Sequence, residues 1–296
     1  MARLRSKVKQ PKEQFKRSVT RSVGGDIGIY IILAIFGVIM VLPLVYAIAQ
    51  SLKPLDELWV FPPRFFVVNP TFKNFTDLFK LMGDSWVPFS RYIFNTAFIS
   101  VVGTAGNVLF SAYAAYAIAK VPFPGRNFLF KIVVYSLMFN STVTGITNFL
   151  TMSALGWVDT YFAVIVPAFC TTFGLYLMKL FMETSVTDAV LESARLDGAS
   201  ENKIFWKIAM PMVKPAWITL IIFAFKGLWN SGANMYIYSE QLKTFNYAIS
   251  QLVTSGISRS GVSSAATVVM MIVPILVFVI TQSNVIETMS ASGMKD

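Results

Sequence analysis

Six stretches of this chain stay apolar for about the length that carries a helix across a hydrocarbon core, roughly 20 residues at 1.5 Å each. They run from Ile27 to Ala49, Ile93 to Ala119, Phe128 to Leu150, Tyr161 to Phe181, Ala216 to Met235 and Ala265 to Ile286. In lipid each backbone amide must find its partner inside the segment, so such runs predict helices rather than open strands. The expected fold class is all-α: a polytopic membrane protein with six transmembrane helices over 27–286, a basic tail over 1–26 and a short tail over 287–296. Lys131, Asn140 and Asn148 interrupt the third stretch and Lys226 the fifth. The first stretch ends in Ala47-Ile48-Ala49, which imitates a cleavage site. Its apolar run exceeds a signal core of about 7–15 residues and more spans follow it, so it reads as a span that stays.

The pattern changes between the fourth and fifth stretches. Residues 184–215 are polar and helix-forming. Ser185 and Asp188 have the spacing of a capping box, opening a helix through Asp197. Gly198 stands where a left-handed C-terminal cap is needed. Ser200 then caps a second helix, with Glu201 favourable in its first turn and Pro211 near its end. Val190, Leu191 and Ala194 lie on adjoining turns of the first helix. Ile204, Phe205, Ile208 and Met212 form an apolar stripe on the second. Two short helices joined by a glycine corner either bury one against the bundle and leave the other free to dock, or lie as an ordinary hairpin on the membrane surface.

Two further segments, 51–91 and 236–264, mix aromatics, prolines and both charges, and read as short amphipathic pieces at the membrane surface. Ser111, Ala115 and Ala119 recur every fourth residue, a small-residue face that permits close helix approach. Pro43, Pro167 and Pro274 fall inside spans and predict kinks.

Composition narrows the function. The chain has 296 residues, 55% hydrophobic and 14% charged, with a mean hydropathy of +0.61, against roughly 25% charged in soluble domains. It contains no histidine, which excludes histidine-based catalysis, metal ligation and pH switching. Its single cysteine, Cys170, excludes an intrachain disulfide framework and reads as a buried packing residue. The net charge of +10 is topological. Eight basic residues crowd 1–26, and alternation places 17 of the 25 on the inner side, seven outside and Lys226 within a span. Both termini and the 184–215 loop are therefore expected in the cytoplasm, and nucleic-acid binding is not. No G-x-x-x-x-G-K-[ST] phosphate loop is present, so any energy from a nucleotide must arrive through a partner.

The run Glu192, Ser193, Ala194, three residues, Gly198, nine residues, Ile208, Ala209, Met210, Pro211 resembles the EAA signature of bacterial ABC importer permeases. Ser193 replaces one alanine and Met210 a leucine. The whole chain is similar to the carbohydrate-uptake branch, especially the second permease subunit of maltose-type transporters that carry complex oligosaccharides. The resemblance implies a plasma-membrane permease that partners a second permease, two ATPase subunits and an extracytoplasmic solute-binding protein. It implies no cofactor on this chain, with ATP and magnesium held by the ATPases. It makes 184–215 the coupling loop: Glu192, Ser193, Ala194 and Gly198 shape the docking helix and its corner, while Ile208 and Pro211 anchor the second helix. Glu192 either pairs with a basic residue of the ATPase or with Arg195.

A sugar route needs polar and aromatic groups on inward faces of spans. Asn140, Asn148, Lys226, Trp229, Asn230 and Asn234 are the candidates, with interhelical hydrogen bonding as the alternative use of each asparagine. Lys226 lies near the midplane, about 15 Å into its span. It either attracts an acidic oligosaccharide or faces the aqueous cavity without touching substrate. An ion-coupled transporter is the rival reading, but the spans offer no convincing carboxylates for it. A membrane enzyme is disfavoured by the absence of histidine and of paired carboxylates.

Overall fold

The computed structural model describes residues 23–83, 87–139, 141–232, 235–254, 256 and 259–292, and every regular element among them is helical. Most of the basic tail, Asn140, Asn234 and residues 293–296 lie outside the described residues. The chain divides into two units, Met1–Tyr46 and Ala47–Asp296.

The first unit holds most of helix α1 (Val23–Leu52), with Pro43 inside it. Its apolar side chains are exposed on every face. A helix that is apolar all round is made for lipid or for neighbouring helices.

In the second unit, α2 (Leu55–Leu58) and α3 (Lys73–Gly83) form the short pieces expected after the first span. Three polar side chains pin this segment. Asn74 donates to the carbonyls of Ser51 and Lys53 at 2.9 and 2.7 Å. The Glu57 carboxylate accepts from the amides of Val68 and Asn69, and Lys53 donates to the carbonyl of Arg64. Each buried polar group thus closes an irregular turn that has no ladder of its own.

Helix α4 (Phe89–Lys120) is the axis of the unit. It packs on α7 (Phe162–Phe169), α8 (Thr172–Ser185) and α12 (Lys214–Trp229). Its small residues permit this. Ser111, Ala112 and Ala115 are buried, and a Cβ built on Gly106 would stand 2.1 Å from the Phe169 ring. Helices α7 and α8 would be one span but for Pro167 and a break at Cys170–Thr171. Asn107 of α4 answers that break, donating to the Ala168 carbonyl at 2.6 Å and to Thr171 Oγ1 at 2.8 Å. Cys170 is exposed there. The expectation of a buried cysteine fails because the broken backbone turns this residue out of the helix packing.

The six expected spans appear in part. Among the described residues four helices are long and apolar enough to cross a membrane, Gly24–Leu52, Phe89–Lys120, Phe162–Ser185 counted through its break, and Ser260–Gln282 within α14 (Ser260–Ser292); the bent pair Glu201–Met212 and Lys214–Trp229 makes a fifth if it is one span. The third stretch is cut into α5 (Arg126–Ser136) and α6 (Ser141–Ala154), each too short to cross alone. The cut follows Ser136, whose hydroxyl turns back to the Val133 carbonyl. The fifth stretch stops at Trp229 rather than Met235. Asn230 caps it, its side-chain amide donating to the Lys226 carbonyl at 3.0 Å. That leaves 16 residues, about 24 Å of helix.

Two apolar clusters sit at opposite ends of α4. One joins Tyr92 with Trp229, Phe245 and Met270, from α12, α13 (Phe245–Thr254) and α14. The other joins Ala112, Ala115 and Tyr116 with Met178, Leu191 and Phe205.

Candidate functional site

The 184–215 loop folds as an elbow of two arms. Helix α8 runs through Ser185, so the first arm, α9 (Asp188–Leu196), takes Thr187 as its N-cap. The expected Ser185 capping box does not form, and Thr187 makes no side-chain cap bond. Asp188 instead accepts from Lys120 Nζ of α4 at 2.8 Å. This hydrogen bond and the lysine charge hold its carboxyl below the usual carboxylate range.

The corner forms as its glycine requires. Gly198 has φ +76°, and the Ala199 amide reaches back to the Ala194 carbonyl at 3.0 Å while Gly198 N–H donates to Arg195 O at 3.0 Å. These are the paired bonds of a left-handed helix end.

The second arm begins with α10 (Glu201–Ile204), widens into a π-turn over Phe205–Ala209 and closes with α11 (Met210–Met212). It meets α12 at an 80° bend. The wide turn changes which residues face inward. Ile204, Phe205, Ala209 and Val213 are buried, Ile208 is half-buried and Met212 is exposed. The expected stripe through Ile208 and Met212 assumed a uniform period of 3.6. One wider turn shifts the face by a residue.

On the first arm, Leu191 and Ala194 are buried while Val190 is exposed and Leu196 is 88% exposed. Glu192 and Ser193 lie on the uncovered side, and the Ser193 hydroxyl bonds to the Ala189 carbonyl. Glu192 makes no ion pair among the described residues. Arg195 pairs with Glu201 across the corner at 2.7 Å, which removes the local alternative for Glu192. Glu201 also accepts from the Tyr116 hydroxyl at 2.8 Å. Arg195 first and Tyr116 second hold the Glu201 carboxyl low, and Glu201 in turn raises Arg195. Pro211 is exposed within α11. The elbow therefore offers an uncovered face of Val190, Glu192, Ser193 and Leu196, held at a fixed angle by the glycine corner and ion pairs on either side.

The pathway candidates separate. Lys226 is exposed on α12 and forms no ion pair among the described residues. Asn230 lies one turn on, its carbonyl accepting from Asn246 Nδ2 at 2.5 Å. Trp229 is 5% exposed, with its indole N–H on the Met270 carbonyl at 3.0 Å, so its side chain packs against α14. Asn148 is exposed on α6, whose Phe149 ring stacks on Tyr236 at 6.4 Å. Asn140 and Asn234 fall outside the described residues. A cavity of ≈ 340 Å³ borders the end of α12, lined by Pro167, Gly227, Leu228, Ser231, Met235 and Tyr236.

Sequence reasoning missed the far end of α4. There the segment following α12 is bonded down along its length. Tyr92 donates to Glu240 Oε1 at 2.6 Å. Asn95 donates to the carbonyls of Gln241 and Lys243, both at 2.8 Å, and accepts from the Tyr161 hydroxyl at 2.7 Å. Asp159, at φ +62°, accepts the amides of Tyr238 and Ser239 at 2.9 and 2.7 Å and the Ser239 hydroxyl. These bonds with Ser239 and Tyr238 hold the Asp159 carboxyl below its usual range. A Tyr-x-x-Asn pair at the start of a span was the available signal, but nothing local told which loop it would meet.

The model of the family described as "Binding-protein-dependent transport system inner membrane component" matches residues 107–290. Protein LplC of Bacillus subtilis (strain 168) is 36% identical over 203 residues, covering 68% of this chain and 66% of LplC. The polygalacturonan/rhamnogalacturonan transport system permease protein YtcP of the same organism is 30% identical over 213 residues, covering 72% of each. Among solved structures, that of a bacterial ABC transporter involved in the import of the acidic polysaccharide alginate superimposes with a TM-score of 0.76. It is 25% identical and covers 89% of this chain and 98% of its own. With its helical bundle, its elbow and the match over 107–290, the chain belongs to the family of binding-protein-dependent transport system inner membrane components, the permease subunits of ABC importers.

Proposed function

We propose that this chain moves an oligosaccharide into the cytoplasm, driven by two separate ATPase subunits that bind ATP and magnesium, beside a second permease and with an extracytoplasmic binding protein as donor. The observation that carries this reading is the elbow. Its inner stripe, Leu191 and Ala194, is buried, and its outer face leaves Leu196 88% exposed next to Glu192, which has no ion pair among the described residues. An exposed leucine beside such a carboxylate, on a helix braced by ion pairs, is a surface built to enter another protein. ATP-driven closure of the ATPases would then push the arm, and the arm would tilt the bundle, with the elbow and both termini in the cytoplasm. The ATPase should co-purify with the complex, and Glu192→Lys or Gly198→Pro should release it. Retention of the ATPase by both variants would refute the docking role.

A narrower reading concerns charge. Lys226 stands on a span, exposed, with no carboxylate paired to it among the described residues. A cation held in a route at reduced dielectric attracts anionic solute. Two of the similar proteins carry acidic polysaccharides in their names. We therefore assign Lys226 to the recognition of an acidic oligosaccharide. Lys226→Gln should lower uptake of a uronate oligomer relative to a neutral one in the reconstituted complex; an unchanged ratio would sink the assignment.

A further inference from the structure

Helix α4 reaches both the elbow and the segment that follows α12, and it does so without interruption. Among the helices long enough to cross a membrane, α1, the α7–α8 pair and α14 each contain a proline, whereas α4 contains none. A helix without proline keeps its full ladder of hydrogen bonds and lacks the commonest cause of a kink.

Its two ends are tethered by the same chemistry. At the elbow end the Tyr116 hydroxyl donates to Glu201 at 2.8 Å and Lys120 to Asp188 at 2.8 Å. Tyr113 of the same helix face stacks on Phe205, ring centroids 4.1 Å apart. At the other end the Tyr92 hydroxyl donates to Glu240 at 2.6 Å, beside the paired bonds of Asn95. From Tyr92 to Tyr116 is 24 residues, about 36 Å of helix. Bonds to a carboxylate are shorter and stronger than neutral ones, so each phenol fixes an end of α4 to a segment that connects spans rather than to another span.

We infer that α4 is a rigid link between the elbow and the 237–245 segment, with Tyr116 and Tyr92 as its positioning residues. The inference rests on the docking role proposed for the elbow. Displacement of the elbow by the ATPase then reaches the outer segment without first deforming the kinked spans. The linkage is reciprocal: a binding protein that presses on 237–245 biases the elbow in turn.

The test uses the complete complex in proteoliposomes, with Tyr92→Phe, Tyr116→Phe and the double variant, which remove one oxygen each and keep the ring. Each single variant should cut the stimulation of ATP hydrolysis by sugar-loaded binding protein roughly 10- to 100-fold, the scale of one hydrogen bond to a charged group. Basal hydrolysis and the amount of bound ATPase should not change. The double variant should fall no further than the worse single one, because a link broken at either end is already broken. Glu240→Gln, which keeps an acceptor for the Tyr92 hydroxyl, should retain stimulation. Losses that multiply in the double variant, or stimulation that persists in both singles, would overturn the link. Release of the ATPase by Tyr116→Phe would overturn it too, by making the phenol part of the docking contact. Failure of the docking role itself would show separately, as ATPase retained by Glu192→Lys in an otherwise unaltered chain.

Discussion

Gly198→Ala isolates the cost of the elbow's corner. The residue has φ +76°, a region that costs a side-chain-bearing residue roughly 1–2 kcal/mol. A Cβ built there meets nothing within 4 Å, so no steric term adds to that figure. The substitution leaves the buried stripe of Leu191 and Ala194 untouched. If the free elbow relaxes to escape the strain, the docking-competent fraction falls by the same free energy, and the apparent affinity for the ATPase falls with it. At about 1.4 kcal/mol per decade, Ala should weaken binding roughly 5- to 30-fold. Asn, which tolerates the left-handed region far better, should lose much less. Pro should abolish binding, since its φ is locked negative and it deletes the amide that donates to Arg195. Titration of the purified permease with ATPase subunits, by surface-immobilised binding, measures the series. Equal affinities for Ala and Asn, or no loss with Ala, would refute the reasoning, because both would mean that the left-handed corner does not set the docking geometry.

Gly174→Ala should behave differently, because the space and not the backbone is at stake. Its Cβ would stand 2.7 Å from Ser111 Oγ and 2.8 Å from Thr171 Oγ1, so overpacking of about 1–3 kcal/mol should lower the unfolding temperature in a fluorescence scan; Ser111→Ala should relieve part of it. Asn107→Leu should destabilise more than Asn107→Ser in the same scan, since it removes both bonds to the α7–α8 break and leaves a buried carbonyl unanswered, a loss of about 1–3 kcal/mol. The acid dependence follows from Glu201. Its carboxyl is held low by Arg195 and Tyr116, so the ion pair contributes fully at neutral pH. The contribution is fully present above the ordinary glutamate pKa of about 4.3 and is lost as pH falls from there through the lowered folded-state value. Proteolysis of the elbow in detergent should stay constant from pH 8 to about 5 and rise as pH falls below the ordinary glutamate range, and Glu201→Gln should flatten that rise.

Much of this molecule was legible without coordinates. The glycine corner was, because only a left-handed backbone explains a glycine between two amphipathic runs, and φ +76° at Gly198 is that backbone. The buried pair Leu191 and Ala194 followed from helical period. The second arm escaped the same argument at one turn, since nothing in the residues Phe205–Ala209 announces a π-turn. The surroundings of Trp229 were hidden for a related reason. Amphipathic period puts an indole on a face, but whether that face meets water or Met270 depends on where α14 lies.

The sequence by itself determined that the chain spans a membrane by helices, that it carries no G-x-x-x-x-G-K-[ST] phosphate loop, and that a polar elbow follows its fourth apolar stretch. These are local properties: hydropathy, spacing and the conformational limits of single residues act within a few turns. Tertiary structure alone decided which stretches remain whole, that Arg195 chooses Glu201 over Glu192, and that α4 is bonded at both ends to carboxylates 85 and 148 residues away. Such pairings depend on distance in space between groups far apart in the chain, and no periodicity in either partner encodes which other segment will arrive beside it.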